Sequence, residues 1–150
     1  VDVVRERGFT LLELLVVFAI LALVMAVAPI AYDRMHSAAQ YREVVRGMVG
    51  GMRAARQQAV LSGRDALFSV DLRQRLYGLQ GAAENAIPET VSVRATVAAG
   101  EVQDDRFVIR FLPSGGASGG SVDVARPSGD GVRLRVDWFS GRIEQEALQP

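Results

Sequence analysis

Glu13 is the single charged side chain between Leu11 and Tyr32. That run of roughly 22 residues is long enough for a helix to cross a bilayer core of about 30 Å. A carboxylate at the centre of such a helix costs on the order of 2–3 kcal/mol, and less towards its end, where Glu13 lies. No basic residue occurs within the run, so the compensating charge must come from a chain end or from another chain. Elsewhere, Gly116-Ala117-Ser118-Gly119-Gly120 satisfies the G-x-S-x-G pattern of a nucleophile elbow. That chemistry needs a strand-turn-helix and a histidine oriented by a carboxylate. His36, the sole histidine, falls in a helical pattern, and no helical pattern follows Gly120. The segment therefore reads as a turn.

The same segment lacks the Gly-Lys-Ser/Thr ending that cradles a nucleotide phosphate. Asp104 and Asp105 are adjacent carboxylates and read as solvated. One histidine and no cysteine cannot build a zinc site of the usual kind. The expectation is no catalytic residue, no metal, no cofactor and no enzyme. Seventeen basic and seventeen acidic residues balance to zero net charge, which argues against a general polyanion-binding role. The cysteine-free composition excludes disulfide and thiolate chemistry and is compatible with an oxidising compartment.

The elements that must carry these residues read in order. Residues 1–8 are a short polar leader, 9–32 the apolar helix, 33–63 an amphipathic helical stem, and 64–150 a β-rich domain. Pro29 removes a hydrogen bond late in the apolar run and implies a kink. In the stem, Met35, Ala38, Tyr41, Val45, Met48, Met52, Ala55 and Ala59 recur at spacings of three and four, one face of a helix. Arg42, Arg46, Arg53 and Arg56 lie mostly off that face and read as solvated. Gly47, Gly50 and Gly51 weaken the helix; they admit a close neighbour or mark a break. Gly63 is the C-terminal stop.

Beyond Gly63 the period changes to two. Strands are expected at Ala66–Asp71, Arg75–Leu79, Thr90–Val97, Phe107–Leu112, Ser121–Ala125, Val132–Trp138 and Arg142–Glu144. Asp130-Gly131 and Ser140-Gly141 are turn signals, and Pro88 marks a loop. The fold class is α+β: a long N-terminal helix, half membrane and half amphipathic, packed on a small antiparallel β-sheet or β-sandwich.

Three readings of the N-terminus compete. A secretory signal peptide needs a shorter apolar stretch and a small-residue cleavage site, and a plain anchor leaves Glu13 unexplained. The third reading rests on Gly8-Phe9-Thr10-Leu11-Leu12-Glu13 ahead of the apolar helix. There the chain resembles the type IV pilin and pseudopilin superfamily, whose members carry a leader ending in Gly, then Phe-Thr-Leu-x-Glu. The resemblance implies cleavage by a prepilin peptidase between Gly8 and Phe9, and N-methylation of Phe9. It also implies that Glu13 pairs with the Phe9 amine of a neighbouring subunit and so sets the assembly register. Pilins commonly carry a helix-bending proline, and Pro29 is offset from it by about one residue.

Three later stretches resemble the H-type minor pseudopilins of type II secretion, and are shared with FimT-like minor pilins. They are Arg53-Ala54-Ala55-Arg56-Gln57-Gln58-Ala59, Arg110-Phe111-Leu112-Pro113-Ser114-Gly115-Gly116 and Val136-Asp137-Trp138-Phe139-Ser140-Gly141-Arg142-Ile143. The H-type resemblance implies a structural subunit near the tip of a pseudopilus that supports export of folded proteins. The same resemblance implies anchoring in the inner membrane with the C-terminal domain in the periplasm. The implied partners are other major and minor pseudopilins, the prepilin peptidase acting on it as substrate, the inner-membrane secretion platform and inner-membrane lipid. The alternative is a FimT-like minor pilin that takes up DNA. Glu144 and Glu146 after Arg142 would repel phosphate and argue against nucleic acid.

Overall fold

The computed structural model describes residues 9–97, 102–103 and 105–148; the side chains of residues 26–34 and 103 are outside that description. The leader 1–8, including Gly8, the side chain of Pro29, and Asp104 lie outside the described residues. The element order is α1 (Leu11–Ser62), β1 (Ala66–Asp71), β2 (Leu76–Leu79), β3 (Asn85–Ala86), β4 (Ser92–Thr96), β5 (Val102–Gln103), β6 (Arg106–Phe111), β7 (Gly120–Ala125), β8 (Gly131–Val136) and β9 (Ile143–Leu148). Two compact units divide between His36 and Ser37, so that α1 contributes to both.

In the first unit, Thr10 caps α1. Its Oγ1 accepts the Glu13 backbone N–H at 3.2 Å, and its carbonyl accepts the Leu14 N–H, satisfying donors that a helix start leaves unpaired. Every residue from Phe9 to Met25 is exposed, with Leu11 at 81% and Phe9 at 78%. A helix that is apolar all round belongs against lipid or other helices. Among the described residues no helix is long and apolar enough to cross a membrane; the expected span, 9–32, runs into residues 26–34, whose side chains are undescribed.

In the second unit the rest of α1 and both sheets share one core. Sheet order is β3-β2-β1-β6-β5 in one and β4-β7-β8-β9 in the other, with every pairing antiparallel. The chain adopts the expected α+β class, and of the two expected β arrangements, a single sheet or a sandwich, it has two sheets. The helix buries Tyr41, Val44, Met48, Val49, Met52, Ala55 and Ala59. Met35, placed on that face by spacing, is 74% exposed, and Val44 and Val49 take the positions the spacing left out. The buried stripe is wider than a single a/d seam because a sheet covers more of a helix than another helix does.

No break occurs at the stem glycines. A Cβ on Gly47 would stand 2.1 Å from the Tyr77 hydroxyl, and one on Gly51 would stand 2.7 Å from the Phe68 ring. Both aromatics come from the five-stranded sheet, on β2 and β1. The two glycines are therefore holes in the helix surface that receive aromatic side chains.

Ala66–Asp71 recurs with the expected ends and the other expected strands with shifted ones, and β3 and β5, of two residues each, are too short to have shown a pattern. The strand expected at Val132–Trp138 ends at Val136. The Asp137 carboxylate takes the Ser140 N–H at 2.8 Å and its hydroxyl at 2.7 Å, which turns the chain out of the ladder. The strand expected at Arg142–Glu144 instead runs Ile143–Leu148, with Glu144 opposite Arg135 and Glu146 opposite Arg133. Opposed charges hold that pair together where an apolar alternation was sought. Asp130-Gly131 is not a two-residue turn: Arg126 N–H bonds the Asp130 carbonyl, and Gly131 already pairs with Ala125 in the β7–β8 ladder.

Candidate functional site

The described part of the N-terminal motif runs from Phe9 to Glu13. Capping by Thr10 starts the helix one residue later and fixes Glu13 in its first turn. An acid in the first turn also faces the positive end of the helix dipole. Phe9 precedes the helix as an exposed residue. The pairing expected of Glu13 is with another chain.

The three later stretches, far apart in sequence, meet at one side chain. Arg56 Nε donates to the Gly115 carbonyl and to the Ser140 carbonyl, each at 3.1 Å. The stem thus holds both the turn after β6 and the turn after β8. Gly141 completes the junction: its φ is 62°, and a Cβ there would lie 2.4 Å from the Gly115 carbonyl and 3.1 Å from Arg56 Nε. Asp137 shapes the same turn, and the Ser140 hydroxyl and N–H hold its carboxyl below the usual carboxylate range. The turn presents Trp138 and Phe139, 69% and 77% exposed, with ring centroids 5.8 Å apart edge to face.

Gly116–Gly120 is part of this frame. Ala117 bridges Phe111, the Ala117 N–H bonds the Trp138 carbonyl, and Ser118 exchanges backbone and side-chain bonds with Arg110. The Ser118 hydroxyl accepts the Arg110 N–H at 3.1 Å, a turn-forming contact. No helix follows Gly120, which begins β7. Asp105, described without its neighbour, faces Arg73 at 3.5 Å on the surface.

Sequence reasoning missed Arg75. It sits at φ 54° in the β1–β2 turn and donates to the carbonyls of Ile87, Pro88 and Val91 at 3.1, 2.7 and 2.8 Å. No local pattern marks it, because its acceptors are backbone atoms of a loop more than ten residues on. Asp71, which starts that turn by accepting the Gln74 N–H at 2.7 Å, also meets Arg106.

A capped, exposed apolar helix leading into a two-sheet β domain is the architecture of the pilin-like class. Residues 4–29 match the prokaryotic N-terminal methylation motif, and residues 44–141 match the family described as type II transport protein GspH. The type II secretion system protein H of Xanthomonas campestris pv. campestris is 30% identical over 147 residues, covering 95% of this chain and 85% of that protein. The fold is similar to that of the minor pseudopilin EpsH from the type 2 secretion system of Vibrio cholerae. The TM-score there is 0.50 at 14% identity, over 76% of this chain and 95% of that one. The type IV minor pilin FimU of Pseudomonas aeruginosa gives 0.48 at 16% identity, over 75% and 97%.

The chain belongs to the GspH family, and its role is that of a minor pseudopilin. Membership makes it a membrane-anchored component of a pseudopilus, in a family that is structural.

Proposed function

We propose that the chain is cut by a prepilin peptidase between Gly8 and Phe9, methylated on the Phe9 amine, and assembled near the tip of a type II pseudopilus to support export of folded proteins. Before assembly, the segment 9–32 holds it in the inner membrane with the β domain in the periplasm, beside the secretion platform. The observation that supports this most directly is Glu13, held in the first turn of an apolar helix by the Thr10 cap. In low dielectric a carboxylate there gains from a cation on a neighbouring subunit, and the amine freed on Phe9 is a cation of suitable position. Pairing at one depth fixes the axial register of packed helices, as a buried polar residue fixes that of a coiled coil.

The test separates cleavage from assembly. Glu13→Ala is expected to be processed normally, by the mass of its N-terminal peptide, yet to be missing from sheared fibres and to impair secretion. Normal secretion by that variant would sink the register argument. Gly8→Val is expected to leave the precursor uncut.

A further inference from the structure

Along the sheets, arginines sit against carboxylates: Arg106 against Asp71 and Glu84, Arg133 against Asp123, Arg110 against Asp65. Arg53, Arg56 and Arg142 do not; none of the three forms an ion pair among the described residues. These three line one groove of about 580 Å³ between the last turns of α1 and the turn after β8, with Val60, Leu61 and Ile143, and among the described residues no acidic one lines it. Arg56 is held by two neutral carbonyls, which orient its guanidinium without cancelling its charge. Arg53 and Arg142 are exposed, as are Val60 at 48% and Leu61 at 77%. The groove lining interleaves cationic and aliphatic side chains, in a chain whose net charge is zero.

Guanidinium forks match carboxylates in geometry and suit interface ion pairs. The aliphatic residues Val60, Leu61 and Ile143 among the arginines ask for an apolar side chain beside the acid, which a sugar-phosphate backbone does not offer. The strand leaving the groove carries exposed Glu144 and Glu146, so a long anionic track is disfavoured and a short one fits. We infer that the groove docks a short acidic and aliphatic segment of a neighbouring pseudopilin, its carboxylates on Arg53 and Arg142 and its aliphatic side chain on Val60 and Leu61. The choice of a subunit as source rests on the assembly reading above; the chemistry of the segment rests on the groove alone.

The full-length protein in detergent micelles is titrated with a fluorescent peptide of about nine residues alternating Glu and Leu, and with its Gln/Leu counterpart. The Glu/Leu peptide is expected to bind, more weakly as salt rises. Arg53→Glu with Arg142→Glu should lower that affinity about tenfold or more, and Leu61→Ser should lower it measurably, with unchanged circular dichroism. Equal binding by the charge-reversed protein, or equal binding of the Gln/Leu peptide, overturns the proposal. So does a single-stranded DNA oligonucleotide that displaces the peptide from these arginines, or a self-association abolished by Arg142→Glu, which would mark a second copy as the occupant. In the producing bacterium, a benzophenone amino acid in place of Gln57 should cross-link to an acidic, aliphatic segment of another pseudopilin. A cross-link to an exported protein or to a basic segment would overturn the source. Peptide binding that survives while Glu13→Ala secretes normally would leave the groove standing and remove the register argument.

Discussion

Arg56 Nε lies 3.1 Å from the carbonyl oxygen of Gly115, a residue 59 positions further along the chain, and equally close to that of Ser140. A single guanidinium on the helix therefore fastens one turn from each sheet. Both acceptors are neutral backbone oxygens, and the single Nε–H is shared between them as a three-centre bond.

Gly141→Ala is expected to destabilise the β domain by about 2 kcal/mol, from a left-handed backbone and a methyl group forced against the Gly115 carbonyl. Arg56→Ala acts on the same junction. The two substitutions should cost less together than the sum of their separate effects, by about 0.5 kcal/mol or more. Urea unfolding of the two single variants and the double variant checks this, and strict additivity would mean that the junction is not one unit.

Gly51→Val places branched carbon where the Phe68 ring now lies. A loss of about 1–3 kcal/mol is expected from overpacking, with partial recovery on adding Phe68→Leu, which replaces the ring with a smaller side chain. Gly50→Ala is the control, because nothing lies within 4 Å of its added carbon. There the better helix propensity should raise stability by up to about 1 kcal/mol. Thermal melts that rank the two in the opposite order would refute the packing account.

Arg75→Ala removes three bonds to the carbonyls of the loop at residues 87–91. The expected loss is on the order of 2 kcal/mol, since bonds from charged donors contribute more than neutral ones. Amide exchange should accelerate first at Val91, whose N–H bonds Pro88. Protection there equal to that of the parent protein would show that the loop holds itself.

The Asp71 carboxyl is held below its ordinary range first by the Gln74 N–H, with burial opposing and Arg106 adding to the depression. Asp137 is depressed first by the Ser140 hydroxyl and then by its N–H. Each folded pKa is lower than the unfolded value of about 3.9. The stabilisation is therefore fully present above that value and is lost as the pH falls through the lower folded one. Melting temperature is expected to hold from neutral pH to about 5 and to drop below about 4. The drop should be shallower in Asp71→Asn with Asp137→Asn. An unchanged acid slope in that variant, by calorimetry, would assign the loss to other groups.

The legible parts were local ones. Glu13 within an apolar run and the stop at Gly63 follow from residue type and spacing, because helix ends and membrane cost act over a few residues. Ala66–Asp71 was read to its ends because Ala66, Phe68 and Val70 recur at a spacing of two. The last strand was cut short because Glu144 and Glu146 hide it from any hydrophobic pattern, while their cross-strand arginines make it favourable. Met35 was misplaced since spacing defines a face but not where its cover ends.

The sequence by itself determined the order of the elements other than β3 and β5, the class of fold and the position of the motif at the head of the helix, since each rests on patterns among near neighbours along the chain. Only the tertiary structure decided that Gly47 and Gly51 are sockets rather than breaks, that Arg56 joins two distant turns, and that Arg75 clamps a loop. The atoms concerned are brought together by burial of the shared core, and the acceptors are backbone carbonyls, which every residue possesses and no sequence pattern marks.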